Sequence, residues 1–135
     1  MISKKCKYAI KALSYIAKVS GSKNIFSSEI AEKERIPKKF LEGILRELRN
    51  AKLLNSQRGA KGGYSLNKKP EDITLTEIIR LMDGPIALMP CVSLNYYASC
   101  EECKEEEVCS IRETFLKIRD ATLEVYETTT LKDLC

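Results

Sequence analysis

The sequence predicts a mainly α-helical chain with one small β-hairpin, arranged as a winged helix-turn-helix domain plus a long C-terminal dimerisation helix. Three observations lead there. Over residues 27–50 a short helix, a proline-marked turn and a basic amphipathic helix follow one another. A glycine-rich hairpin with basic residues at its tip comes next, over residues 53–67. Finally, a run of apolar positions at helical spacing starts near Cys109 and carries more apolar surface than a lone terminal helix keeps in water.

The first helix is expected from about Ser3 to Ser20. Cys6, Ala9, Ile10, Leu13, Ile16 and Ala17 recur on one face, lysines occupy the other, and Gly21 follows. Tyr8 and Tyr15 are placed along its edges. Ser27 or Ser28 is the expected cap of a short helix over residues 29–34. Ile36 and Pro37 break that helix, and Pro37 suits the first position of the next, where its missing N–H costs nothing. That helix runs to about Asn50 with Leu41, Ile44, Leu45 and Leu48 as its buried stripe. Strands are expected over residues 53–57 and 64–67. Between them, three glycines in five positions supply the positive φ values of a tight hairpin. Thr74 and Glu77 have the spacing of a capping box and open a helix that Gly84 and Pro85 end. Residues 86–108 are irregular. The last helix presents Ile111, Phe115, Ile118, Thr122 and Val125 as one seam, with Leu116, Leu123 and Tyr126 beside it. The resulting organisation is a winged-helix domain over residues 1–83, a cysteine-containing segment over 84–108, and a dimerisation helix with its tail over 109–135.

The 135 residues carry a net charge of +4, which hides an asymmetry. Residues 1–70 hold 17 Lys+Arg and 5 Asp+Glu, a charge of +12; residues 71–135 hold 6 and 14, a charge of −8. A basic half joined to an acidic half points to a polyanion partner for the first half only, although solvated lysines alone give the same count. No apolar stretch approaches the roughly 20 residues that span a bilayer, and a soluble, cytoplasmic protein is expected. Four of the six cysteines crowd one polar segment, which suits a metal or redox site better than a disulfide scaffold. No histidine, no nucleophile–base–acid set and no phosphate-binding loop supports an enzyme.

Two sets of candidate residues follow. The DNA-binding surface comprises Lys38, Lys39, Glu42 and Gly43, with Arg46 and Arg49 nearer the backbone and Arg58 and Lys61 at the hairpin tip. Lysine donates to guanine O6/N7 and glutamate accepts from cytosine N4; phosphate contact alone is the competing role for the two lysines. An arginine at a thin tip suits a narrow minor groove. Gly43 costs about 1 kcal/mol inside a helix, and either close approach to DNA or a packing constraint accounts for it. The second set is Cys91, Cys100, Cys103 and Cys109. Thiolate sulfur favours iron–sulfur clusters and zinc, and a thiol–disulfide switch or inert cysteines remain as alternatives. The acidic residues 101, 102 and 105–107 are expected to oppose thiolate formation.

The segments YAIKAL (residues 8–13), FLEGILRELRNA (40–51), RGAKGGY (58–64) and TLKDL (130–134) resemble a family of winged-helix repressors that includes the iron–sulfur regulator IscR, the nitric-oxide sensor NsrR and the cysteine-metabolism regulator CymR. The resemblance implies a homodimer that binds imperfect palindromes in double-stranded DNA, with the recognition helix in the major groove and the wing in the minor groove. It also ranks an iron–sulfur cluster, 2Fe–2S or 4Fe–4S, ahead of zinc. In several members three cysteines before the last helix hold the cluster, and the fourth ligand is a histidine just after the third cysteine or an acid near the other subunit's N-terminus. Here Arg112 and Lys7 stand at those two places. Cys91, Cys103 and Cys109 match the three cysteines and Cys100 is extra, so an all-cysteine site is expected, with Cys6 as a second candidate ligand. The implied function is a transcriptional regulator whose DNA affinity depends on a cluster or on thiol redox state. The alternative is a winged-helix regulator governed by a partner protein or metabolite.

Overall fold

The computed structural model describes residues 1–19, 21 and 23–135. Five α-helices and one antiparallel hairpin follow in the order α1 (Lys4–Val19), α2 (Ser27–Glu34), α3 (Lys38–Asn50), β1 (Leu54–Gln57), β2 (Gly63–Leu66), α4 (Leu75–Asp83) and α5 (Ser110–Thr128). The chain is thus mainly helical with a small wing, as the periodicities predict. The expected end of α1 at Ser20 lies outside the described residues.

α1 begins where the Ser3 hydroxyl accepts a hydrogen bond from the Cys6 N–H at 3.0 Å. Ser3 is itself fixed, because its N–H and hydroxyl both donate to the Asp83 carboxylate at the end of α4. The buried face of α1 is Cys6, Ala9, Ala12, Leu13, Ser14 and Ile16. This lies slightly round from the expected stripe, since Ile10 and Ala17 only pack against the core margin. The helix-turn-helix differs from expectation in its punctuation. Phe26, not a serine, precedes α2, and no side chain caps it. Arg35, at φ 53°, turns the chain out of α2, and the Ile36 N–H then reaches back to the Ala31 carbonyl at 2.9 Å. Pro37 sits one residue before α3, where its carbonyl accepts from the Leu41 N–H at 2.9 Å. The Thr74 hydroxyl accepts from the Glu77 N–H at 3.2 Å, whereas the Glu77 carboxylate turns outward to Lys68 at 2.8 Å, so only half of the expected capping box forms.

Leu41, Ile44, Leu45 and Leu48 of α3 join Leu13 and Ile16 of α1, Ile30 of α2, Ile78 of α4 and the connectors Leu53, Ile73 and Leu131 in one core. Each such side chain contributes about 1.5–3 kcal/mol of transfer free energy. The half-exposed pair Lys5–Glu47, at 2.8 Å, contributes at most about 1 kcal/mol. Apolar burial therefore sets the helix orientations. Leu131 belongs to a C-terminal turn that returns to this core: its N–H donates to the Ile73 carbonyl at 2.8 Å, and the Leu75 N–H donates to the Thr129 carbonyl at 2.9 Å.

β1 and β2 pair with Leu54 opposite Leu66 and Gln57 opposite Gly63. The wing has a third, single-residue member that the sequence did not reveal: Ile25 exchanges both backbone hydrogen bonds with Tyr64, each at 2.8 Å. Asn24 extends that seam by donating to Gln57 Oε1 and to the Lys61 carbonyl. The glycines of the turn have different reasons. Gly63 combines φ 115° with a backbone approach in which a Cβ would lie 2.5 Å from Ile25, while a Cβ on Gly62 would lie 2.4 Å from the Gln57 carbonyl oxygen. Gly63→Ala is therefore expected to destabilise the protein by about 1–3 kcal/mol, read as a lower urea midpoint at unchanged m-value. An unaltered midpoint would show that the wing base has room to shift.

Candidate nucleic-acid interface and cysteine segment

Burial of one face of α3 decides what the other presents. Lys38, Lys39, Glu42, Arg46 and Arg49 are exposed, and Gly43 is half-buried among them. Lys39, Glu42, Gly43 and Arg46 fall at i, i+3, i+4 and i+7, one stripe of the helix. Among the described residues, Lys38, Lys39, Arg46, Arg49, Arg58 and Lys61 have no acidic partner within ion-pair distance. Six cations thus remain available to a polyanion. The basic residues of the α1–α3 packing are engaged elsewhere: Lys5 pairs with Glu47, and Lys11 donates to the Glu34 carbonyl at 2.6 Å at the end of α2, where a cation meets the negative end of the helix dipole. Arg58 and Lys61 are exposed at the wing tip, and Tyr64 packs at its base against the core. A Cβ built on Gly43 would meet nothing within 4 Å, so the packing explanation for that glycine is set aside.

The cysteine segment, residues 84–108, is irregular apart from two 3-10 turns, Pro90–Val92 and Glu106–Val108. All six cysteines are free thiols. Cys91 is buried beside fully buried Val92 in the first turn, Cys100 is exposed, and Cys103 and Cys109 are partly covered. Val92 is the anchor of the segment, whereas Leu94, Tyr96 and Tyr97 remain exposed. The Cys103 N–H donates to the Cys100 carbonyl at 3.1 Å, drawing those two together. Partial burial pushes the Cys103 thiol up, with Cys109, Cys100 and Glu106 adding to the effect against a backbone hydrogen bond. At Cys103, Glu106 is the smallest of these causes, behind burial and the neighbouring sulfurs. The donor set fits an iron–sulfur cluster in kind, and three of the four cysteines share one neighbourhood. Among the described residues, however, no three Cys, Asp or Glu side chains converge as a metal site.

Polar ties fasten this segment to α5. Tyr97 donates its hydroxyl to Glu106, and the same carboxylate faces Arg112 at 3.7 Å. That bond to Glu106 is the main reason the Tyr97 hydroxyl holds its proton above the ordinary range. Arg119, with its side chain 14% exposed, donates from Nη1 to the Val92 carbonyl at 2.7 Å, one residue from Cys91. The sequence marks Arg112 and the acidic run 105–107 but not these contacts. For Arg119 a signal existed, since it falls at helical spacing from Phe115, Leu116, Leu123 and Tyr126, and so places a charge within an apolar seam. No periodicity marks Tyr97, Glu106 or Arg112. The α5 seam itself is largely open: Ile111, Ile118 and Val125 are 59%, 40% and 58% exposed, whereas Leu123 on the flank is buried.

Residues 2–135 match the Rrf2 family, described as iron-dependent transcriptional regulators. The chain belongs to the Rrf2 family. A Rhodobacter capsulatus protein named rrf2-like is 41% identical over 137 residues, covering 99% of this chain and 91% of that one. The Bacillus subtilis regulator CymR is 37% identical over 133 residues, covering 98% of this chain and 88% of CymR. Its solved structure, described as that of the global cysteine regulator, superposes with a TM-score of 0.82 over 99% of this chain and 95% of that one. The structure of IscR from T. potens superposes with a TM-score of 0.77 at 27% identity, over 99% and 85% of the respective chains. The fold is therefore the winged helix of the Rrf2 regulators. The chain is a transcriptional regulator of the DNA-binding, helix-turn-helix kind and not an enzyme. Among the described residues no helix is long and apolar enough to cross a membrane.

Cys6 stands apart from the cysteine segment. It is fully buried in the α1 core, and burial, with a smaller push from Asp83, raises its thiol to about 11. The folded state therefore keeps the proton that the unfolded chain releases near 9. Stability from this group is complete below about 9 and is lost as pH rises toward about 11. Native-state alkylation at pH 8 followed by mass mapping is expected to label exposed Cys100 and Cys135 early and Cys6 only after unfolding. Early labelling of Cys6 would contradict its place in the core.

Proposed function

We propose that this regulator binds an imperfect palindrome in double-stranded DNA as a homodimer, and that chemistry at Cys91, Cys100, Cys103 and Cys109 sets its affinity. On this reading residues 1–83 read DNA, 84–108 sense and 109–135 dimerise. Lys38, Lys39, Glu42 and Gly43 enter the major groove, Arg46 and Arg49 approach the phosphates, and Arg58 and Lys61 reach the minor groove. The open Ile111–Ile118–Val125 seam supports a second copy of α5 as its cover. The observation that carries the coupling is the Arg119–Val92 hydrogen bond. It fixes the turn that holds Cys91 to the proposed dimer helix, so a change at the cysteines is passed to the spacing of the two reading heads. Six unpaired thiols accord with work in the reducing cytoplasm.

The four cysteines would hold an iron–sulfur cluster, 2Fe–2S or 4Fe–4S, in preference to zinc. Such a group would supply a redox- and iron-responsive bridge between the segment and α5. The iron-dependence in the family's description supports this reading. Absence of a convergent donor set, together with the similarity to the cysteine regulator CymR, favours a second reading in which a partner protein or metabolite is the signal. Anaerobic reconstitution with iron and sulfide, followed by the visible spectrum and an iron count per chain, separates the two. A brown protein supports the cluster and a colourless one supports the second reading. In the first case Cys100→Ser and Cys109→Ser are expected to lose iron and to alter DNA affinity, while Cys6→Ser keeps its iron. The reverse pattern would place a ligand on α1.

Arg58→Ala is expected to weaken operator binding by about 1–3 kcal/mol without disturbing the fold or the dimer. Log affinity should also fall with log salt by about 0.9 per phosphate contact. Equal affinity of the variant at physiological salt would remove Arg58 from the interface, and a flat salt response would remove the basic face.

A further inference from the structure

Five of the six glycines have a reason within the chain. Gly21, Gly59, Gly63 and Gly84 take φ values of 43°, 97°, 115° and 89°, which side chains rarely adopt, and a Cβ on Gly62 would strike the Gln57 carbonyl oxygen. Gly43 has neither reason. Its φ lies outside the left-handed region, and a Cβ there would enter open space. It sits inside α3, where glycine costs about 1 kcal/mol relative to alanine. The protein's own packing leaves that cost unexplained.

Position supplies the explanation. Gly43 lies in the charged stripe, between Lys39 one turn before it and Arg46 one turn after, beside Glu42 and opposite buried Leu41, Ile44 and Leu45. A helix with its side chains is about 10–12 Å across, and the major groove is about 12 Å wide. Clearance is therefore small, and a bare patch at the centre of the stripe lets the axis sink toward the base edges. We propose that Gly43 is the point of closest approach between α3 and the floor of the major groove. Its missing side chain is a recognition feature: it seats Lys39 and Glu42 on bases that a longer residue at position 43 would hold out of reach. The inference rests on α3 being the recognition helix.

Opposite signs for stability and binding make it testable. The full-length protein, Gly43→Ala, Gly43→Gln and Lys39→Ala are compared on a duplex selected from a random library with the unaltered protein. Gly43→Ala is expected to raise Tm by about 4 °C yet to weaken binding about tenfold, with an unchanged salt slope because no phosphate contact is lost. Gly43→Gln is expected to bind more weakly still. If Gly43→Ala binds as tightly as the unaltered protein while Lys39→Ala binds less tightly, the close-approach role is overturned and the recognition helix stands. If neither variant changes affinity, α3 does not read DNA and the proposal falls with the assignment beneath it.

Discussion

Four aliphatic side chains, Leu41, Ile44, Leu45 and Leu48, are pressed out of water between α3 and its neighbours, and the orientation of the amino-terminal domain follows from them. A helix has one rotational setting that buries a stripe at i, i+3, i+4 and i+7. Once those four are sealed against α1, α2 and the start of β1, the charged stripe has no freedom to turn. Surface ion pairs are too weak to achieve this. The charged face is therefore defined by the residues buried behind it, which is why its cations can remain unpaired and its centre can be a glycine without loss of order.

The wing depends on the same core through a different device. Its register is held by the hairpin ladder and by the Ile25–Tyr64 exchange, which ties the tip to the strand-like residue just before α2. The basic tip thus moves with the helix-turn-helix and not as a separate flap. The cysteine segment is held to α5 by polar contacts, Tyr97–Glu106–Arg112 and Arg119–Val92, and its buried apolar anchors are Cys91 and Val92. Regions with few buried contacts open at low free-energy cost. The proposed sensing role gains from this property, and the proposed DNA-reading role does not.

Most of the fold was legible because it rests on periodicity. The stripe of α3, the bounds of α4 and the glycine spacing of the wing are local patterns, and the structure has each of them. Tertiary contacts were not legible. Ile25 gives no strand signal on its own and becomes one only because Gly63 lets Tyr64 approach. The last residue of α2, Glu34, was legible, but the device that ends it was not, because Arg35 takes the left-handed region where glycine or asparagine is the usual choice. On the reading face, charge and exposure could be inferred from the buried stripe. At the cysteines, sequence established donor type and crowding but not position, since no periodic element spans residues 86–108 to set where a side chain points. The link that matters most there, Arg119 to a backbone carbonyl, involves an acceptor that every residue possesses.

The return of the C-terminal turn to the core has a mechanical meaning. Thr129 and Leu131 pair with Leu75 and Ile73, so the stretch that runs from the end of α4 through the cysteines and along α5 starts and finishes on the winged helix. It is closed on itself like the handle of a bucket, with its far end tied back to the root of α4. Neither end can fray from the core without breaking those backbone bonds, so local opening is confined to the middle of the loop, where buried anchors are few.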